Sequence, residues 1–352
     1  MTRKANNKLL QKAKKSKSDE FYTQLCDIKS ELKHYKSHFK DKVIYCNCDD
    51  PTISNFYKYF ALNFEELGLK KLIASCYREQ TVDLFNQSNN EKGFYYEYTG
   101  KDKEKQIPTS QDVIYFDGDG DFRSKESIEL LKQVDIVVTN PPFSLFRDFV
   151  AQLINYNKDF LIIGNVNAIT YKSIFKLIKE NKAWLGINLG RGISGFIVPK
   201  HYELYGTEAR IGEDGNRIIS TNNALWLTNL DTFKRHEDIE LTKKYLGNEA
   251  YYPKYDNYNG INVNKTKDIP MDYTGAMGVP ITFLHKFNPE QFEIIKFRKG
   301  DDGKDLSVNG KNPYFRILIR SRRANRDKIK VTKPAVNKRF ERKTGESIRL
   351  NI

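Results

Sequence analysis

The chain has 352 residues, 39% hydrophobic and 13% aromatic, with 22 Phe and 21 Tyr, which excludes a disordered polar chain and suffices for one large domain or two ordinary ones. Mean hydropathy is −0.65, and no apolar run approaches the roughly 20 residues of a membrane helix, so no membrane association is expected. The net charge of +14 is concentrated at the ends: residues 1–17 carry seven basic and no acidic side chains, and residues 316–352 carry thirteen basic and three acidic ones. The stretch between is close to neutral. Two basic ends around an ordinary body point to a polyanionic partner, most simply nucleic acid. The lysine-rich start lacks the apolar segment of a secretory signal. Cys26, Cys46, Cys48 and Cys76 are too few for a disulfide framework, so reduced thiols and a cytoplasmic location are expected.

Taken in chain order, Ser18 caps a helix with Asp19 and Glu20 in its first turn, and Phe21, Leu25, Ile28, Leu32, Tyr35 and Phe39 give it one apolar stripe. Val43 to Cys46 reads as a strand. The turn Asn47-Cys48-Asp49-Asp50-Pro51 follows, then a helix from Ser54 to Leu67 ended by Gly68, then a buried strand from Lys71 to Ser75. A strand at Val113 to Phe116 runs into Asp117-Gly118-Asp119-Gly120-Asp121, and Ser124 to Gln133 is helical. A strand at Asp135 to Thr139 runs into Asn140-Pro141-Pro142-Phe143, with a helix from Leu145 to Ile154 after it. A strand at Phe160 to Ile163, a helix near Tyr171 to Glu180 and a strand at Ala183 to Ile187 complete the pattern. Short apolar strands alternating with amphipathic helices predict an α/β fold, with a mostly parallel sheet covered on both faces and ligands at the C-terminal strand ends. After about residue 190 the pattern turns antiparallel: Gly195 to Val198, Ala209 to Ile211, Arg217 to Ser220 and Ala224 to Leu227, with Glu213 to Asn216 as a hairpin turn. Residues 230–280, rich in Tyr, Asn, Lys and Pro, read as an irregular insertion or small second domain.

Asn140-Pro141-Pro142-Phe143 carries the strongest chemical signal. Two prolines remove two backbone donors and fix φ, making a rigid turn whose carbonyls face outward. An aromatic amine placed there can donate to the Asn140 side-chain oxygen and the Pro141 carbonyl, while Phe143 stacks on its ring. Accepting both N–H bonds draws the nitrogen toward tetrahedral geometry and frees its lone pair for attack on an activated methyl. A Pro-Pro pair that merely ends a strand is the plainer alternative, and the position after a series of buried strands speaks against it. Competing chemistries lack their residues. Cys46 and Cys48 do not have metal spacing, and His34, His38, His201, His236 and His285 form no sequence cluster. The run from Asp117 to Asp121 resembles the start of a calcium loop, but Ile128 stands where the bidentate Glu is required.

In this setting Asn140-Pro141-Pro142-Phe143 resembles the catalytic motif of S-adenosylmethionine-dependent amino-methyltransferases. The wider chain resembles the EcoRI-type adenine-N6 DNA methyltransferase family, on Asn7 to Leu10, Phe21-Tyr22-Thr23, Tyr45 to Pro51, Gly118 to Arg123, Ser194 to Pro199 and Gly278 to Lys286. The resemblance implies a Rossmann-like methyltransferase sheet with a C-terminal target-recognition region. Its parts would be a basic arm at 1–17, a catalytic core at 18–190, remaining core strands and DNA target recognition at 191–320, and a basic tail at 321–352. It implies catalytic roles for Asn140, Pro141, Pro142 and Phe143, and places Phe21, Tyr22 and Thr23 against the cofactor, with Phe21 as a plain core residue the alternative. Cys46, Asn47, Asp49 and Asp50 form the cofactor turn, although the glycine usual there is missing. Asp49 or Asp50 is expected to receive the cofactor's ammonium group, with a turn capping the next helix as the alternative. Asp117 is expected to accept from the cofactor's adenine. The acid that usually binds the ribose is replaced by Ser75-Cys76-Tyr77, with Glu79 the nearest carboxylate. Arg191, Arg210, Lys254, Asn257, Asn262, Asn264, Lys265 and Lys267 are of the types that meet base edges or phosphates. The implied activity is methylation of a flipped-out adenine in double-stranded DNA, at GAATTC, by a monomer. It would protect host DNA from a cognate restriction endonuclease, a functional and not a physical partner. Two rival readings remain: an RNA or protein-glutamine methyltransferase, and a non-catalytic DNA-binding protein, suggested by the glycine-free turn.

Overall fold

Strands built almost wholly from apolar residues lie at the centre of the structure, a computed structural model that describes residues 22–78, 91–189, 193–198, 204, 209–212, 215–219, 223–298, 306–313 and 315–324. The elements of its first part are β1 (Tyr22–Thr23), α1 (Leu25–Leu32), α2 (Lys36–Phe39), β2 (Val43–Cys46), α3 (Asn55–Leu62), β3 (Lys71–Cys76), β4 (Phe94–Tyr98) and β5 (Ile114–Tyr115). Then come α4 (Lys125–Gln133), β6 (Ile136–Thr139), α5 (Phe146–Asn155), β7 (Asp159–Asn165), α6 (Lys172–Lys179) and β8 (Trp184–Leu189). The remainder is β9 (Phe196–Val198), β10 (Arg210–Ile211), β11 (Arg217–Ile219), β12 (Ala224–Thr228), β13 (Gly260–Asn262), β14 (Ala276–Pro280), β15 (Phe292–Arg298) and β16 (Arg316–Ser321).

An eight-stranded mixed sheet has the order β5-β4-β3-β2-β6-β7-β12-β8. Its centre is parallel: β2 pairs with β3 and β6, and β6 with β7. Every residue of β2 and β6 is buried, as expected of strands covered on both sides. The pleat sends Val43 and Tyr45 into one core, shared with Ile73, Val137 and residues of α4, α5 and α6. It sends Ile44 and Cys46 into the other, with Ile28 and Leu32 of α1, Phe56 and Phe60 of α3, and Trp226 of β12. Trp226 is fully buried and meets the Phe56 ring edge-on at 5.9 Å. Full burial of one such side chain contributes about 1.5–3 kcal/mol.

Reversed β12 inserts between β7 and β8, antiparallel to both. Its pairing with β8 is irregular between Leu225 and Leu227, where the β8 chain bulges. Glu31 of α1 fills the gap in the ladder: its carboxylate, wholly buried, accepts from Ile187 N at 2.7 Å and Asn188 N at 2.8 Å, and from the Tyr35 hydroxyl at 2.8 Å. Two smaller sheets complete the chain, β1-β9-β11-β10 and β13-β14-β16-β15. The second continues the α6-side core, where Phe175 and Phe297 lie 5.1 Å apart.

Four expectations change. The large sheet is not mostly parallel: three of its seven strand pairings are parallel, at the centre, and four are antiparallel, because β4, β5 and β12 are joined or inserted without a parallel crossover. Tyr22 and Thr23 are not helical: they pair with Ile197 and Phe196 as a strand, and the helix begins only at Leu25. The expected stripe holds beyond that point, with Ile28, Leu32, Tyr35 and Phe39 all buried, although α1 stops at Leu32 and α2 starts afresh at Lys36. The strand around Val113 to Phe116 is a two-residue exposed edge, β5, and not a member of the parallel centre. It stands outside β4, a strand that apolar runs in the sequence do not mark, and both run antiparallel to their inner neighbours. Residues 230–280, expected as an irregular insertion or small second domain, contain β13 and all of β14 among short helical turns, and both strands join β15 and β16 in one sheet. Ser54 and Ser124 cap α3 and α4, each accepting backbone N–H bonds.

Candidate active site

From β2 the chain passes to β3 on one side and later to β6 on the other, so strand order reverses between β2 and β6. Crevices at such points, outside the C-terminal strand ends, are where open α/β sheets bind ligands. The segments leaving those two ends are Asn47-Cys48-Asp49-Asp50-Pro51 and Asn140-Pro141-Pro142-Phe143. The two motifs chosen from sequence therefore meet in one place.

The first turn contains no glycine, and none of its residues has positive φ. Side chains shape it instead. Asp49 N donates to Ser75 O at 2.9 Å, and Ser54 N to Asp50 O at 2.8 Å. Asp50 Oδ1 accepts from Thr52 N at 2.9 Å and the Thr52 hydroxyl at 2.6 Å, while Oδ2 faces Arg78 Nη2 at 3.3 Å. The Asp49 carboxylate takes the Ser54 hydroxyl at 2.6 Å on Oδ1 and the Thr139 hydroxyl at 2.5 Å on Oδ2. Burial pushes the Asp49 carboxyl up to about 6, against the opposing pull of those two hydroxyls. The Cys46 and Cys48 thiols are pushed well up, mainly by burial, and stay neutral. Cys46 points into the core on the α1 side and offers the crevice only its backbone.

Thr139, fully buried, ends β6. The second turn follows with Asn140 half-buried, Pro141 buried and Pro142 at φ −56°. The Pro142 carbonyl is taken by Leu145 N at 3.1 Å, which closes a short helical turn over Phe143–Leu145. Half-buried Phe143 lies 6.2 Å from Phe196 in an edge-on arrangement. Phe196 pairs with Thr23 across the β1–β9 ladder, and Asn55, at the start of α3, donates to the Thr23 carbonyl at 2.9 Å. This ladder closes the site from the side. Tyr22 and Ile197 line an open cleft of about 490 Å³ with Asn55, Lys58 and Asn216.

Thr23 Oγ1 and Asn47 Oδ1 are buried and have no hydrogen-bond partner among the described residues. Leaving such an atom unsatisfied costs about 1–3 kcal/mol, so two of them beside a crevice fit a ligand with polar groups.

The chain matches, over residues 9–344, the family described as adenine-specific methyltransferase EcoRI. It belongs to that family. It is 70% identical over 323 residues to the type II methyltransferase M.EcoRI of Escherichia coli, covering 92% of this chain and 99% of that one. It is 39% identical to M.MpnI of Mycoplasma pneumoniae and to M.MgeORF184P of Mycoplasma genitalium, each over 88% of this chain and 97% of theirs. No solved structure matches. The protein is thus a methyltransferase of the adenine-specific class, and its mixed sheet is consistent with that fold.

Asn140, Pro141, Pro142, Phe143, Thr23, Asn47, Asp49 and Asp50 gather at the reversal point, and Tyr22 faces the adjoining cleft. Phe21 lies outside the described residues, as do Glu79 and Arg191. Asp117 is displaced: its side chain is fully exposed, 3.8 Å from Lys92 Nζ, because it follows the edge strand β5 and not a central one. The loop it begins does return to the site. Asp119 O accepts from Arg78 N at 2.9 Å, and Gly120, at φ +78°, lies so close that a Cβ there would sit 2.7 Å from Cys76 O. Asn262 is buried and holds the Tyr255 hydroxyl and Arg316 Nε, so it is not an exposed base reader; Lys254, Asn257, Asn264, Lys265 and Lys267 are exposed. Ser54, Thr139, Arg78 and Phe196 are not marked by the sequence as site residues. The cap position of Ser54, before Asn55-Phe56, is the one local signal among them; Arg78 and Thr139 meet partners 28 and 90 residues away.

Proposed function

We propose that the chain is a site-specific DNA adenine-N6 methyltransferase, which transfers a methyl group from S-adenosylmethionine to a flipped-out adenine in duplex DNA. The target assigned is GAATTC, and the role is that of the modification half of a restriction–modification system, acting as a monomer beside a nuclease it need not touch. The observation that carries this is the Asn140-Pro141-Pro142-Phe143 turn, set at the reversal point one strand from the Asn47–Pro51 turn.

The bound cofactor supplies an electrophilic methyl on a sulfonium. Its fit rests on the two unsatisfied buried atoms: Asn47 Oδ1 would accept from its ammonium group, and Thr23 Oγ1 would bond a neighbouring polar group. Asp49 and Asp50 shape the turn that presents Asn47. Asn140 would accept one N–H of the target amine and the Pro141 carbonyl the other, which would free the lone pair for attack on the methyl. Those acceptors gain strength as positive charge builds on nitrogen, which is where stabilisation speeds the reaction. Phe143 stacks on the base after it leaves the helix. The S–CH3 bonding pair would stay on sulfur, leaving a neutral thioether, and the amine's surplus proton would leave to water.

In the arrangement we assign, the eight-stranded sheet is a Rossmann-like methyltransferase core at 18–190, completed by strands from 191–320, where the exposed Lys254, Asn257, Asn264, Lys265 and Lys267 belong to the target-recognition region. The segments 1–17 and 321–352 are basic phosphate-binding arms. Tritiated methyl transfer onto duplexes with and without GAATTC, followed by nucleoside analysis, tests the reading. N6-methyladenine confined to the first duplex is expected. Label in cytosine, equal label in both duplexes, or label in neither overturns it.

A further inference from the structure

Asp49 joins four elements. It leaves β2, its N–H binds the end of β3, and its carboxylate takes hydroxyls from the residue before α3 and from the last residue of β6. Each hydroxyl does more than fill a lone pair. Ser54 has one proton to give; giving it to Asp49 turns its oxygen toward Phe56 N at 3.1 Å and Tyr57 N at 3.4 Å, the first donors of α3. Thr139 is β-branched, and fixing its hydroxyl fixes its χ1 and the strand end from which Asn140 departs.

We propose that Asp49 is a positioning residue for methyl transfer: by gripping Ser54 and Thr139 at once, it holds the Asn140–Phe143 turn in register with the cofactor turn. This rests on the methyltransferase reading above. It assigns the Asp49 carboxylate to bracing the turn, with one oxygen accepting from Ser54 and the other from Thr139.

Charge is costly at this position. Burial raises the Asp49 carboxyl from 3.8 to about 6, and neighbouring Asp50 acts in the same direction. Arg78 faces Asp50 from beyond β3, the neutral Cys46 and Cys48 thiols flank the turn, and Asp121 approaches Cys48 from the loop after β5. A folded-state value above the unfolded one means that the stability contribution is complete below 3.8 and is lost as pH rises through about 6. At neutral pH the ionised group therefore weakens the fold, while serving as a double acceptor. A neutral carboxyl must donate one bond, so one hydroxyl has to turn round.

The test compares wild type with Asp49→Asn, Thr139→Val, Thr139→Ser and the double variant Asp49→Asn/Thr139→Val. Melting temperature, S-adenosylmethionine affinity by direct titration, and single-turnover methylation of a GAATTC duplex from pH 5 to 8 are measured on each. Asp49→Asn should keep its melting temperature at pH 8 and its cofactor affinity, but lose roughly 100-fold in rate, the scale of a misplacement near 1 Å. Thr139→Val should match it, Thr139→Ser should restore the rate, and the double variant should be no slower than either single one. The wild-type rate should fall below pH about 6, and Asp49→Asn should lack that limb. An unchanged rate in Asp49→Asn overturns the proposal, as does a loss confined to cofactor affinity or additive losses in the double variant. A wild type that binds cofactor yet methylates no adenine overturns the underlying reading, and the proposal with it.

Discussion

Replacing Asn140 with Ala removes one acceptor from a turn that its neighbours hold in place. Thr139 is fully buried, Pro141 is buried, Pro142 is fixed at φ −56°, and the Leu145 N–H closes the chain onto the Pro142 carbonyl. The backbone should therefore persist, and the loss should fall on chemistry. One preorganised hydrogen bond to a group that gains charge in the transition state is worth about 2.7–4 kcal/mol, or about 100- to 1,000-fold in rate. Because that bond strengthens as the nitrogen becomes tetrahedral, the rate should drop while cofactor and DNA affinity change little. Asn140→Asp keeps acceptor oxygens and should retain more activity than Asn140→Ala. Single-turnover methylation with both substrates saturating is the assay, alongside equilibrium titrations of each. A near-normal rate in Asn140→Ala would refute the assignment, and so would a loss that disappears at high DNA concentration.

Phe143→Ala should weaken capture of the flipped base by about 1–3 kcal/mol, read as a higher KM for DNA, whereas Phe143→Trp keeps the stacking face; equal KM values would count against stacking. Gly186→Ala should lower the melting temperature, at a cost of about 1–3 kcal/mol, because a Cβ there would lie 2.5 Å from Trp226 Cβ and against the Glu31 carboxylate. An unshifted melting temperature would mean that β8 yields. Deleting residues 1–17, which carry seven positive charges, should flatten the salt dependence of DNA affinity by about 0.9 in log–log slope for each phosphate the arm neutralises, with sequence preference intact. An unchanged slope would show that the arm does not touch phosphate.

The parallel centre is legible because β2, β3, β6 and β7 are short apolar runs, too short for helices and of the kind found in a sheet covered on both faces. The edge was less so. Phe94–Tyr98 alternates buried and half-buried, but Tyr serves on either face, so its letters show no alternation. The edge position of Val113 to Phe116 does have a signal in the sequence. A parallel neighbour needs a crossover, usually a helix, and the sequence shows no clear one between Ser75 and Val113. An antiparallel meander, as observed, needs no crossover. Tyr22 and Thr23 were beyond local reasoning, because the strand that claims them is more than 170 residues away.

The site divides along the same line. Asn140-Pro141-Pro142-Phe143 could be read directly because its rigidity is covalent: two prolines fix their own φ whatever surrounds them. The cofactor turn could be recognised only by family resemblance, because its rigidity is not. A glycine-rich turn announces itself through the one residue that tolerates positive φ. This turn stays at negative φ and is braced by Asp49 on Ser54 and Thr139, and by Asp50 on Thr52 and Arg78. Thr139 lies 90 residues from Asp49, and no spacing rule connects them. The absence of glycine thus reflects a different way of holding the same place. It also moves the sensitive positions from the backbone to side chains, where a single hydroxyl or carboxylate can be removed and its effect measured.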